Sequence, residues 1–167
     1  MDHIEKELEA GRAVILPTET VYGIFAKALD QEAVDYIYEL KRRPRNKALN
    51  LNVADEKMIR IYSKNQPGYL TKLIHSFLPG PLTIILQAND KVPDWIHSGL
   101  DTVGFRIPAH PKTLDLIRKY GPLVGPSANL SGHASGTKYK AIVSEFDQVV
   151  PGIEDDDFLT GQDSTIL

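Results

Sequence analysis

Short apolar runs alternate with stretches of helical period along this chain. Residues 13–16 are four apolar side chains in a row, the length and composition of a buried strand, and Pro17, which cannot donate to a sheet ladder, ends it. Before that strand, residues 2–10 place Ile4 and Leu8 on one face of a short helix that Asp2 caps and Gly11 stops. Asp30 caps a second helix to about Lys41, with Val34, Ile37, Tyr38 and Lys41 at helical spacing, and Pro44 closes it. Leu49-Asn50-Leu51-Asn52-Val53 alternates with period two and predicts a strand with one polar face. Asp55 caps a helix carrying Met58, Ile59 and Tyr62, and residues 67–77 form another; Pro79-Gly80-Pro81 is a hard turn. Residues 82–86 and 102–107 read as strands, and a helix follows over 111–120, with Pro111 suited to its first turn and Gly121 just past its end. Leu123 and Val124 lead into a loop, residues 125–136, crowded with Ser, Gly and Asn. Thr137 caps a helix to about Phe146, and residues 164–167 finish as a strand. Strands alternating with helices predict an α/β fold, and their irregular spacing favours a twisted mixed β-sheet flanked by helices over a regular doubly wound one.

At 167 residues the expectation is a single domain, residues 1–167. The apolar share of 42% and charged share of 25% are those of an ordinary globule. No apolar run approaches the roughly 20 residues that cross a bilayer. The charged N-terminus has no apolar h-region, so a cytoplasmic protein with no membrane partner is expected. The absence of cysteine excludes disulfides, thiolate metal sites and a cysteine nucleophile. A net charge of −3 argues against a dedicated nucleic-acid binder. The charge is unevenly spread, however: Lys41, Arg42, Arg43, Arg45 and Lys47 fall together, which suits a small anionic ligand. The acidic residues 154–157 read as a solvated loop, one member of which could help hold a hydrated magnesium ion.

Four polar clusters directly follow apolar runs. Thr18-Glu19-Thr20 stands at the carboxyl end of the first strand, an edge where open α/β sheets bind ligands; a plain strand-end turn is the alternative. Cations at a helix end are commonly only solvated and favoured by the dipole. Here Pro44 turns the chain while the cations continue, so Arg and Lys can converge on one anion. Arg106, inside an apolar strand, needs a partner: an acidic neighbour in a structural ion pair, or a substrate carboxylate held in its fork. Gly125-Pro126-Ser127-Ala128-Asn129-Leu130-Ser131-Gly132 can offer N–H groups and hydroxyls to phosphate oxygens, or serve as a turn; it is not a P-loop. The five histidines never take metal-ligand spacing, and Ser127 lacks the G-x-S-x-G context of a hydrolase. No residue reads as a tuned general base, so any catalysis rests on positioning and charge stabilisation.

Together these segments are far more specific than any alone. Pro-Thr-Glu-Thr-Val-Tyr-Gly, Lys-x-Arg-Pro-x-x-Lys, Pro-Gly-Pro-x-Thr, Arg-x-Pro-Ala-His-Pro, Pro-Ser-Ala-Asn-x-Ser-Gly and a final Ser-Thr-Ile resemble the YrdC/TsaC family in order and spacing, from about residue 11 to the last. The resemblance implies a twisted mixed sheet around a concave, basic cavity. It also implies an L-threonylcarbamoyl-adenylate synthase, a nucleotidyltransferase that combines L-threonine, bicarbonate and ATP, releases pyrophosphate and serves threonylcarbamoyladenosine modification of tRNA. By motif position it implies Lys41, Arg43, Ser127 and Asn129 as the catalytic signature. Arg43, Lys47, Asn129 and Thr137 would face ATP, and Thr20, Asn52, Arg106, Ser127 and Ser164 would face L-threonine. Mg²⁺ accompanies ATP, with its protein ligands unassigned. The resemblance further implies tRNA-modification partner proteins and weak tRNA or double-stranded RNA binding. Two departures stand out. Lys47-Ala48-Leu49 replaces the family's Lys-Pro-Leu, with Asn52 where a histidine is often found. The match also stops at Leu167, as a short single-domain form, before a strand whose arginine reaches the ATP phosphates. An RNA-binding paralogue without synthase activity is the alternative, and carbamoyl-adenylate chemistry on another acceptor, as in hydrogenase maturation proteins, is a third.

Overall fold

The computed structural model describes residues 2–130, 132–133, 136–146, 149–162 and 165–167. In chain order the elements are α1 (Asp2–Glu9), β1 (Val14–Leu16), β2 (Gly23–Lys27), α2 (Gln31–Lys41), β3 (Leu51–Asn52), α3 (Glu56–Tyr62), β4 (Ser63–Lys64), α4 (Leu70–Phe77), β5 (Leu82–Ala88), α5 (Asp94–His97), β6 (Thr102–Arg106), α6 (Pro111–Tyr120), β7 (Leu123–Val124), α7 (Tyr139–Val143) and β8 (Thr165–Ile166). The strands form an open mixed sheet of order β1-β2-β7-β3-β6-β5-β4, with β8 pairing β5. β3–β6 and β5–β8 run parallel and the other pairs antiparallel. The α/β architecture and mixed sheet expected from the sequence are therefore observed. Among the described residues no helix is long and apolar enough to cross a membrane.

Local chemistry sets several helix ends. Asp30 accepts from the N–H groups of Glu32 and Ala33, and Asp55 from that of Met58, each satisfying helix-start donors that would otherwise lack partners. Pro111 opens α6 and Gly121 follows its end. The helix expected from Thr137 is shorter and begins at Tyr139; its first N–H is capped from afar, by Asp156 Oδ1 at 2.9 Å. β2 has no clear sequence signal, because both its faces are buried and no alternation marks it. Gly23 begins that strand, and a Cβ there would stand 2.5 Å from the Phe25 ring.

Two apolar layers follow from the period-two alternation of the strands. Ile15, Ile24, Val124, Leu51, Phe105 and Ile84 point into the larger core, which α2 covers with Val34, Ile37 and Tyr38. Val14, Leu16, Phe25 and Leu123 point to the other face, against Ile4 and Leu8 of α1 and Leu116 and Ile117 of α6. That second cover stops at β7. Over β3, β6 and β5 the same face carries polar residues and Ile85, which is 41% exposed.

Candidate active site

The uncovered part of the sheet is the floor of a cleft of about 260 Å³. Its geometry follows from register. Asn52 of β3 pairs with Arg106 of β6, while the flanking pair Leu51 and Phe105 faces the core. Carrying the β5–β6 register one residue beyond Ile84–Phe105 sets Thr83 on the other side of Arg106. Three adjacent strands thus contribute Asn52, Arg106 and Thr83 to one polar row, and all three line the cleft. Asn50, two residues before Asn52, lines it as well; its Oδ1 lies 2.3 Å from where a Cβ on Gly104 would stand, so only glycine leaves room for it there.

The loop between β1 and β2 closes one wall. Thr18 Oγ1 donates to the Val21 carbonyl at 2.7 Å and accepts from the Thr20 N–H at 3.1 Å, a local turn that buries both threonines. Arg106 Nη2 reaches this turn, contacting Thr20 Oγ1 at 2.9 Å and Thr18 Oγ1 at 3.4 Å, and forms an ion pair with Glu19. The other Glu19 oxygen accepts from the Ala109 N–H at 2.7 Å. The structural ion pair considered for Arg106 is therefore present, and Arg106 still lines the cleft. Its Nε is buried without a hydrogen-bond partner.

A second wall comes from the basic run and the Ser/Asn loop. Arg42 ends α2 in the left-handed conformation, φ 53°, and the chain leaves the helix there. Arg43 then turns to the cleft, its Nη2 donating to the Ala48 carbonyl at 2.7 Å and its Nε buried without a partner. Ser127 lines the cleft beside Gly23, to which it is bridged. Among the described residues, the charged side chains lining the cleft are Arg43 and Arg106.

The expected site residues thus divide. Thr20, Arg43, Asn52, Arg106 and Ser127 come together around one cleft. Lys41 and Asn129 stand behind its wall, both buried: Lys41 Nζ donates to the carbonyls of Ser127 and Asn129, and Asn129 Nδ2 donates to those of Leu130 and His133. Burial, with Arg43 nearby, lowers the Lys41 pKa to about 8. Lys47 is exposed and Thr137 lies near Gly161; neither lines the cleft. Ser164, like Ser131 of the loop motif, lies outside the described residues. Asn50, Thr83 and Thr18 also line the cleft, with no role assigned to them from the sequence, although Thr18 belongs to the Thr18-Glu19-Thr20 cluster and Thr83 is the threonine of Pro-Gly-Pro-x-Thr. Asn50 was legible as the polar face of an alternating strand, and Thr83 as the polar residue among apolar ones in β5.

The acidic residues 154–157 are not simply a solvated loop. Asp155 pairs with the buried His110 at 2.8 Å, and Asp156 Oδ1 accepts from Tyr22 Oη at 2.6 Å. The Asp156 carboxyl lies below its usual range because of the Tyr22 and Tyr139 donors, and burial followed by Asp156 raises the Tyr22 phenol. The segment then returns to the site: Thr160 and Gly161 N–H groups donate to the carbonyls of Glu19 and Thr20. Among the described residues no group of three His, Cys, Asp or Glu could hold a metal ion.

The mixed α/β sheet opens on one face into a cleft whose lining of two arginines, hydroxyls and carboxamides has the chemistry to hold a small anionic ligand. The Sua5/YciO/YrdC family model, described as telomere recombination, matches residues 6–167, and the chain belongs to that family. The threonylcarbamoyl-AMP synthase of Pyrococcus abyssi is 41% identical over 140 residues, covering 83% of this chain and 41% of its own length. That of Bacillus subtilis is 40% identical over 150 residues, covering 89% and 43%. The chain thus spans about two fifths of the length of these curated relatives. The structure of P. abyssi Sua5 complexed with L-threonine matches with a TM-score of 0.87 at 36% identity, covering 97% of this chain and 48% of that one. Escherichia coli YciO, at 22% identity and a TM-score of 0.84, shares the fold.

Proposed function

We propose that this chain makes threonylcarbamoyl-AMP from L-threonine, bicarbonate and ATP, releasing pyrophosphate, as a nucleotidyltransferase serving tRNA modification. One observation carries the proposal: Thr20, Asn52, Arg106, Arg43 and Ser127, drawn from five separate segments, line a single cleft. The match to a relative whose structure holds L-threonine supports it. Arg106 takes the threonine carboxylate, with the Thr20 and Ser127 hydroxyls and the Asn52 carboxamide around the amino acid. Arg43 offsets charge on the ATP phosphates, and the exposed Lys47 and half-buried Thr137, outside the cleft lining, are assigned to the nucleotide by motif position. Lys41 and Asn129 hold the loop that presents Ser127. The amine of threonine and bicarbonate give a carbamate with loss of water; a carbamate oxygen then attacks the α-phosphorus and pyrophosphate leaves. With no cleft-lining carboxylate among the described residues, the chain itself does not fit a resident Mg²⁺, and the ion enters as the counterion of ATP.

Incubating the chain with ATP, Mg²⁺, bicarbonate and L-threonine is expected to yield threonylcarbamoyl-AMP and pyrophosphate, detected by mass, with the product lost when any one substrate is omitted. No product beside an active longer relative overturns the proposal. Salt-sensitive tRNA binding without ATP binding would favour an RNA-binding role instead.

A further inference from the structure

Glu19, the one charged residue of the β1–β2 loop, does not line the cleft, yet it contacts Arg106, which does. Its two oxygens have separate tasks. One pairs with Arg106 Nη2 and the other accepts from the Ala109 N–H at 2.7 Å. Both side chains of the pair are only 13% exposed, so the contact is largely shielded from water. Nη2 also meets the hydroxyls of Thr18 and Thr20, leaving it with three internal acceptors. A guanidinium is a rigid plane, so fixing one nitrogen fixes where the other edge points.

We propose that Glu19 is a positioning residue for carboxylate recognition: it commits Nη2 of Arg106 inside the protein and so presents Nη1 to the substrate carboxylate. The inference rests on the reading that Arg106 receives the carboxylate of L-threonine. Glu19 does not leave when substrate arrives. Swinging it away would strand the Ala109 N–H, and an amide left unpaired in a shielded site is costly. The arrangement trades part of the arginine's charge for preorganisation, the term that separates a guided contact from a mobile one.

The test is Glu19→Gln with Glu19→Asp, followed by steady-state kinetics and thermal melting. Glutamine has the same shape, but only one of its two terminal atoms accepts. Either Ala109 or Arg106 then faces an N–H donor, and Arg106 loses its hold. The expected result for Glu19→Gln is a rise of about tenfold in the L-threonine KM with kcat within about threefold, and an intermediate rise for Glu19→Asp. Discrimination between L-threonine and L-threoninol, which lacks the carboxylate, should shrink in parallel; loss of packing alone would not change that ratio. A lower KM in Glu19→Gln would make Glu19 a competitor and overturn the proposal. So would a lowered Tm with unchanged KM and discrimination. If Glu19→Gln does not fold, a wild-type KM in Glu19→Asp overturns it. Failure of the wild-type chain to bind L-threonine would remove the reading of Arg106 itself, before any variant is compared.

Discussion

Lys41 Nζ donates to the main-chain oxygen of Ser127 at 2.5 Å and to that of Asn129 at 2.9 Å, so the last residue of α2 fastens the loop that forms one wall of the cleft. Its side chain is buried, and it adds to the Ser127 carbonyl a second donor beside the Asn129 N–H at 2.9 Å. The basic run therefore serves two purposes. Lys41 builds the wall from behind, and Arg43, two residues on, enters the cleft.

Burial lowers the Lys41 pKa from the ordinary 10.5 to about 8, with Arg43 adding to the effect. Between those values the unfolded chain binds a proton that the folded chain does not. This group's contribution to stability must therefore rise with pH across the window and be constant below it. Both ammonium and amine can donate two hydrogen bonds, so the fastening survives the titration. Lys41→Met removes the titration. The Tm advantage of wild type over this variant is expected to grow from pH 8 toward 10, and a shrinking difference would contradict the burial of this lysine.

Arg43, just beyond the end of α2, and Arg106, on β6, enter the cleft from separate segments, so their losses should separate by substrate. Hydrogen bonds to charged groups are worth about 1.5–3 kcal/mol, or about one to two decades in an equilibrium constant. Arg43→Ala is expected to raise the ATP KM by that factor, and Arg106→Ala the L-threonine KM. Initial-rate kinetics with each substrate varied in turn measures both. If both variants keep wild-type kinetics, this cleft is not the site.

Much of the fold was legible because local signals agreed with tertiary demands. Asp30 and Asp55 cap the helices they were expected to cap, and the Leu49–Val53 alternation put its leucines in the core and its asparagines in the cleft. β2 was not legible, since a strand buried on both faces has no period to read. Motif spacing pointed to five of the cleft-lining residues. It could not say that Lys41 points to backbone carbonyls, that Arg106 is held by Glu19, or that Asp156 caps α7. Those contacts join residues far apart in the chain, and only the folded register brings them together.

Gly125 marks the border between the apolar layer and the cleft. A Cβ there would lie 2.4 Å from Cε1 and 2.7 Å from Cζ of Phe25, a ring fully buried against α1 and α6. The ring has nowhere to go in a close-packed layer. Gly125→Ala is expected to cost about 1–3 kcal/mol by overpacking, read as a lower urea midpoint at unchanged m. A neutral effect would mean that the loop, and with it Ser127, shifts freely.

Tyr22 ties the acidic segment to the site wall. Its hydroxyl donates to Asp156 Oδ1 at 2.6 Å and accepts from the Asp155 N–H at 2.7 Å, beneath a segment also held by His110 and by the carbonyls of Glu19 and Thr20. Tyr22→Phe keeps the ring in its buried place and removes only the oxygen, leaving the Asp155 N–H without this acceptor. The expected loss is about 1–3 kcal/mol, most of it in local opening of residues 153–161. Limited proteolysis should therefore cleave that segment faster in the variant than in wild type, while the rest of the chain stays protected. Because Thr160 and Gly161 support the carbonyls of Glu19 and Thr20, the loosened segment should also raise the L-threonine KM and leave the ATP KM near its wild-type value. Equal cleavage rates would show that His110 and the backbone contacts hold the segment without the phenol, and an ATP effect as large as the threonine effect would mean that the segment supports the whole cleft and not one wall of it.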